Sequence, residues 1–269
     1  MGKAGVTHWR RTVCCAFLAA TAWAPGAARA GAWTEPQGQG LVIETLFGWG
    51  GYGAPFGGAA SPSESRIGSQ TYFEYGAWDR LTVFGEATVD RYALTTPSKD
   101  SFTGLDYSGG GVRARVWSND AWVFSLEASA YASGAHDVAK PAQDGNTGPE
   151  ADARALVGHN LTLFGAPAFF DAQAGYRLRA EGPPSEYHAD LTLGVSVTAR
   201  AQIMAQAFNT LSNGAGAPGF AAWESHIGQL SAVYKLGDKW SVQIGGFGSL
   251  YRRNTNSEYG ALLAVWRRF

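Results

Sequence analysis

Apolar and polar residues alternate with a period of two along twelve separate segments of this chain, and no helical periodicity interrupts the series. A period of two places successive side chains on opposite faces of an extended strand. The expected strands are 40–49, 68–77, 80–92, 104–117, 121–133, 149–159, 166–180, 185–197, 200–212, 223–235, 239–251 and 257–269. In 121–133, Trp122, Phe124, Leu126, Ala128 and Ala130 alternate with Val123, Ser125, Glu127 and Ser129. Strand 223–235 alternates less cleanly, with Ile227 and Val233 on its polar side. Long connections at 50–67, 93–103, 134–148, 181–184, 213–222 and 252–256 take turns with short ones. An even strand count with alternating loop lengths predicts an all-β fold. It is a single antiparallel transmembrane β-barrel of about 12 strands, with short periplasmic turns and longer extracellular loops. A soluble sandwich, also built from alternating strands, is the competing architecture.

The N-terminus agrees with export. Lys3, Arg10 and Arg11 precede the short apolar run 13–24, and Ala28-Arg29-Ala30 offers a small-x-small cleavage site before Gly31. Residues 1–30 are expected to leave as a signal peptide, and 31–269 to form the barrel. Cys14 and Cys15 would leave with the leader, so no disulfide or thiol chemistry is expected in the rest. The whole chain has 21 basic and 22 acidic residues; without Lys3, Arg10, Arg11 and Arg29 the balance is 17 to 22, a net of −5. That sign argues against nucleic acid as a partner.

Charge cost assigns the faces. An ion at the bilayer midplane costs ~2–4 kcal/mol, so the apolar face should meet outer-membrane lipid. The inward face then carries the candidate lumen-lining residues Glu74, Glu86, Asp90, Arg113, Arg115, Glu127, Asp152, Arg154, Asp171, Arg177, Arg179, His188 and Asp190. A polar path for a small solute and a packed ionic lumen are both compatible with this set. Trp78, Trp117, Phe164, Trp240 and Phe269 fall at the short-turn ends and form the expected periplasmic aromatic girdle.

Catalytic arrangements are thin, and neither a catalytic residue, a cofactor nor a metal site is expected. Outer-membrane phospholipases use a His-x-Ser arrangement, whereas His226 is followed two residues on by Gly228. His188 and Asp190 are expected to form a hydrogen-bonded pair in the lumen. His136, Asp137 and Asp144 in a long loop are too ordinary to indicate a metal. The run Gly109-Gly110-Gly111 lies inside a strand and suggests close backbone approach rather than a phosphate loop.

The last strand, Tyr259-Gly260-Ala261-Leu262-Leu263-Ala264-Val265-Trp266-Arg267-Arg268-Phe269, resembles the closing strand of bacterial outer-membrane β-barrels. The resemblance implies recognition by the barrel-assembly machinery. Residues 31–40, from Gly31-Ala32-Trp33 to Gly40, with Tyr72-Phe73-Glu74-Tyr75-Gly76, are also similar to the phenol meta-pathway group of outer-membrane barrels. That similarity implies passive uptake or binding of a small solute. The alternatives are a structural or surface-interaction barrel with a plugged lumen, and a lipid-modifying outer-membrane enzyme.

Overall fold

A computed structural model describes residues 31–52, 64–94, 100–133, 148–180 and 182–269. Twelve strands appear in chain order. The first six are β1 (Gly40–Tyr52), β2 (Glu64–Trp78), β3 (Leu81–Leu94), β4 (Asp100–Ser118), β5 (Trp122–Ser133) and β6 (Glu150–Leu163). The rest are β7 (Ala166–Arg179), β8 (Glu186–Ser196), β9 (Ala201–Ser212), β10 (Glu224–Lys235), β11 (Trp240–Arg253) and β12 (Ser257–Arg268). Each pairs antiparallel with its neighbours in sequence, and β1 pairs with β12 from Leu41↔Arg268 to Tyr52↔Ser257. The sheet is therefore a closed barrel with no free edge, as a membrane interior requires.

The outer surface is apolar. Leu46, Ile67, Leu178, Leu230, Ile244 and Leu263 are all exposed on it. On β12 the outward residues are Tyr259, Leu263, Val265 and Arg267, while Ala264 and Trp266 point inward and are buried. The expected girdle is exposed at the short-turn end: Trp78, Trp117, Trp240 and Phe269 stand outward there, and Phe164 is 99 % exposed at the tip of its turn. The Arg267 guanidinium lies 5.4 Å from the centre of the Trp240 ring, so its charge rests on an aromatic face near the membrane edge. Phe164 and Gly165 both have positive φ, 51° and 81°, which gives the tight β6–β7 hairpin the twist its strands need.

The first long connection is shorter than expected. Pairing of β1 with β2 continues to Gly51↔Glu64, into residues expected as loop. The physical reason lies inside the barrel. The Tyr92 hydroxyl donates to Glu64 at 2.5 Å, and Asn256 Nδ2 donates to it at 2.8 Å, so Glu64 ties β2, β3 and the β11–β12 connection together. At the Thr88/Val89 bulge, Asp106 is the extra residue of β4; it turns inward and pairs with Arg66. Loop residues His136, Asp137 and Asp144, and the leader 1–30, lie outside the described residues.

A candidate solute path in the lumen

Alternation inside the barrel creates two unlike walls. On β1 and β9–β12 the inward residues are mostly apolar or uncharged: Phe47 and Trp49 on β1, Phe208 on β9, Ile227 on β10, Phe247 on β11 and Leu262 on β12. A methyl group added to Gly260 would lie 2.5 Å from both the Phe247 ring and Trp49 Cβ, so that glycine leaves room for the Phe247 ring over the β12 backbone. Nearer the periplasmic end, Leu41, Met204, Val233, Ala264 and Trp266 form a buried cluster on the same wall. Amides join this wall to its flank: Gln229 donates to Gln206 at 2.8 Å, and Gln206 to Thr192 at 3.3 Å.

On β2–β8 many of the inward residues are charged, and these are laced together. Arg113 donates to Glu74 at 2.8 Å and to Glu127 at 2.9 Å. Arg154 bonds Asp152 at 2.9 Å and Asp190 at 2.8 Å. The second of these bonds crosses β7, where Gly175 leaves the space; an added methyl there would lie 2.6 Å from Arg154 Cγ. Arg177 holds Asp152 at 3.1 Å and Glu150 at 3.4 Å, with its guanidinium 5.6 Å from the centre of the Tyr131 ring. Arg179 joins Glu150 to Glu186 at 2.9 and 2.5 Å. Arg66 pairs with Asp90 and Asp106. Glu86 is different. Its one hydrogen bond among the described residues comes from Gln70 at 3.3 Å, and no cation pairs with it. Carboxylates outnumber guanidiniums along this wall, so its field attracts cations.

The periplasmic end is narrowed by residues 31–39, which run along the inner wall from β7 to β2. Ala32 N donates to Asp171 at 2.6 Å, and Ser125 Oγ donates to Ala32 O at 2.5 Å. Arg113 reaches Trp33 O at 3.2 Å, and the Trp33 ring meets Phe169 edge-on at 5.7 Å. Ala32 and Trp33 pack with Val123 and Leu156. Glu35 N donates to Thr82 Oγ1 at 2.8 Å, and its carboxylate lies 3.3 Å from Arg268. Burial holds the Glu35 carboxyl above its ordinary pKa, with Arg268 pulling the other way. The segment leaves past Gly76, where a methyl group would lie 2.1 Å from Pro36 O; two backbone bonds fasten it there, Gly38 N to Gly76 O and Gly76 N to Gln39 O.

Of the thirteen expected lining residues, twelve belong to the inner charged wall. Arg115 differs: it reaches out to Asp79 O at the β2–β3 turn at 2.7 Å and belongs to the rim. The expected His188–Asp190 pair does not form. His188 sits 3.2 Å from Glu186 and 3.4 Å from Thr210, while Asp190 takes Arg154. Arg154 reaches across β7 and occupies Asp190, so His188 pairs instead with Glu186, two residues the other way on the same strand, and with Thr210 of β9. The charged lining residues expected from the sequence all lie on β2–β8, and the wall on β1 and β9–β12 carries few charges. Residues 31–39, Glu64, Arg66, Asp106, Glu150 and Glu186 complete the lining and carry no sequence signal beyond their parity. The triple glycine is a close approach: a methyl at Gly109 would lie 2.3 Å from the Tyr131 ring, and one at Gly111 2.2 Å from Ala128 O. His226 contacts Asn209 at 2.7 Å and Glu224 at 2.8 Å, an amide and a carboxylate, neither of them a nucleophile. Among the described residues, no group of three or more His, Cys, Asp or Glu side chains is placed to hold a metal.

No protein-family model matches the chain. No curated relative matches it either. Solved structures do. The COG4313 outer membrane channel from Pseudomonas putida F1 superposes with a TM-score of 0.66 at 13% identity, covering 90% of this chain and 100% of that one. The NanC porin gives 0.53 at 12% identity over 82% of this chain and 98% of that one. The translocator domain of the autotransporter NalP from Neisseria meningitidis gives 0.50 at 11% identity over 87% and 90%. At such identities the likeness is one of fold, and the fold is that of outer-membrane barrels.

Proposed function

We infer that the protein is a passive outer-membrane channel and binding barrel for small amphipathic solutes, favouring cations over anions. The observation that carries this reading is the pairing of walls: a largely uncharged inner face on β1 and β9–β12, with Phe47, Trp49, Phe208 and Phe247 among its amides and hydroxyls, opposes a carboxylate-rich face on β2–β8. A solute with an apolar body and a polar or cationic group would find a partner on each side. The similarity of residues 31–40 and 72–76 to the phenol meta-pathway group supports uptake of a small solute. The likeness to a channel and a porin supports passive passage. The closing strand ending at Phe269 is assigned to recognition by the barrel-assembly machinery, and the apolar exterior to lipid.

Reversal potentials across planar bilayers in a salt gradient test the reading. The wild type should be cation-selective. Glu86→Lys places a cation at a mid-wall carboxylate with no ion-pair partner among the described residues, and should lower or invert that preference. An unchanged preference would remove Glu86 from the path. Absence of both ion current and solute flux would favour the second reading, a surface-interaction barrel with a plugged lumen. That reading draws on one observation, the lodging of residues 31–39 inside the barrel.

A further inference from the structure

Asp171 is buried to 1 % exposure on β7, yet no cation pairs with it among the described residues. Its two partners are neutral donors, Ala32 N at 2.6 Å and Gln173 Nε2 at 2.9 Å. An uncompensated buried carboxylate is unfavourable, and proteins rarely keep one without a counter-charge. The residue pressed against it is Gly31. A methyl group on Gly31 would lie 2.2–2.3 Å from all three atoms of the Asp171 carboxylate, and Gly31 has φ +94°. Only glycine suits that place. Gly31 is also the residue that follows Ala28-Arg29-Ala30.

We propose that the Ala30–Gly31 bond is a processing site, and that the α-ammonium released there is the missing counter-ion of Asp171. Hydrolysis by a signal peptidase adds water across the amide. The hydroxyl goes to the Ala30 carbonyl carbon and the hydrogen to the Gly31 nitrogen, which takes a further proton from solvent. An α-amine has an ordinary pKa of about 8, so it is mostly charged at neutral pH. The nitrogen is one bond from the Gly31 Cα, whose added methyl would run into the carboxylate. Cleavage therefore creates an ion pair that anchors the free end of residues 31–39 to the barrel wall. In the uncleaved chain the same nitrogen is a neutral amide and cannot supply the charge. The narrowing of the periplasmic end is then completed by processing, not by folding alone.

The mass of protein extracted from outer membranes should correspond to residues 31–269 with a free amine; a mature start elsewhere overturns the proposal. A small acetylating reagent at neutral pH reads the pair directly, with the modified N-terminal peptide counted by mass spectrometry. A paired, buried amine reacts only through local opening, so acetylation should be at least about tenfold slower in the wild type than in Asp171→Asn. Equal rates would overturn it. An alanine inserted between Ala30 and Gly31 moves the ammonium away while keeping Asp171. That variant should react at the fast rate, and a slow rate there counts equally against the pair even if Asp171→Asn fails to assemble.

Discussion

Removing residues 31–38 while keeping the leader is expected to raise single-channel conductance at least about twofold, because ion flow through a barrel is set by its narrowest section. The segment packs along the wall at the periplasmic end, with Trp33 against Phe169 and Leu156, while Leu41, Met204, Val233 and Trp266 cluster on β1 and β9–β12. It contributes only one isolated bridge to the sheet, Gln37 with Gly76, so the ladder that closes the barrel remains intact without it. Asp171, Ser125, Thr82 and Arg113 would lose partners, but the water that enters can hydrate them. The barrel should therefore still assemble, with lower thermal stability from the lost burial of Trp33. Gly76→Ala is the milder version. Its methyl would collide with Pro36 O and should push the segment off the wall, giving a smaller rise or flickering between levels. Conductance unchanged in both variants would mean that residues 31–39 do not obstruct the path.

The strands were legible because a membrane barrel writes its two solvents into alternate residues. That code works where one face is charged. On β7, Asp171, Gln173, Arg177 and Arg179 mark the inner side without ambiguity. On β1, by contrast, Leu41, Ile43, Phe47 and Trp49 alternate with Val42, Glu44 and Leu46, so the strand's one carboxylate falls on the outward face, beside Thr71, and charge cost points to the wrong side. The apolar wall was hidden for that reason. Residues 31–39 were hidden for another: their contacts lie as far as 233 residues away, at Arg268, and a single passage through a lumen has no period. Ion pairs such as Arg154–Asp190 depend on register and on Gly175 making room, and neither is readable without the neighbouring strands.

Replacing Arg113 with methionine should be the most destabilising single change on the inner wall. Arg113 is 4 % exposed and satisfies Glu74, Glu127 and Trp33 O together. Removing one partner of a buried ionic group costs ~3–5 kcal/mol, chiefly because the remaining charges stay buried without compensation. Here two carboxylates would be stranded, with Glu74 itself only 3 % exposed. Methionine keeps much of the volume, so the loss reports charge and hydrogen bonding rather than a cavity. Arg113→Lys should fall between, since an ammonium is a point charge without the fork that holds two carboxylates. Arg115→Met is the comparison: it gives up one bond to a turn carbonyl at the rim and should stay within ~0.5 kcal/mol of wild type. The decisive variant is Arg113→Met combined with Glu74→Gln and Glu127→Gln. With no charge left to strand, it should recover most of the lost stability, and that recovery is the non-additivity a shared network produces. Thermal unfolding in detergent, followed by the gel shift between folded and unfolded barrel, measures all four variants. A triple variant no more stable than Arg113→Met alone would show that shape, not charge pairing, sets the need for Arg113.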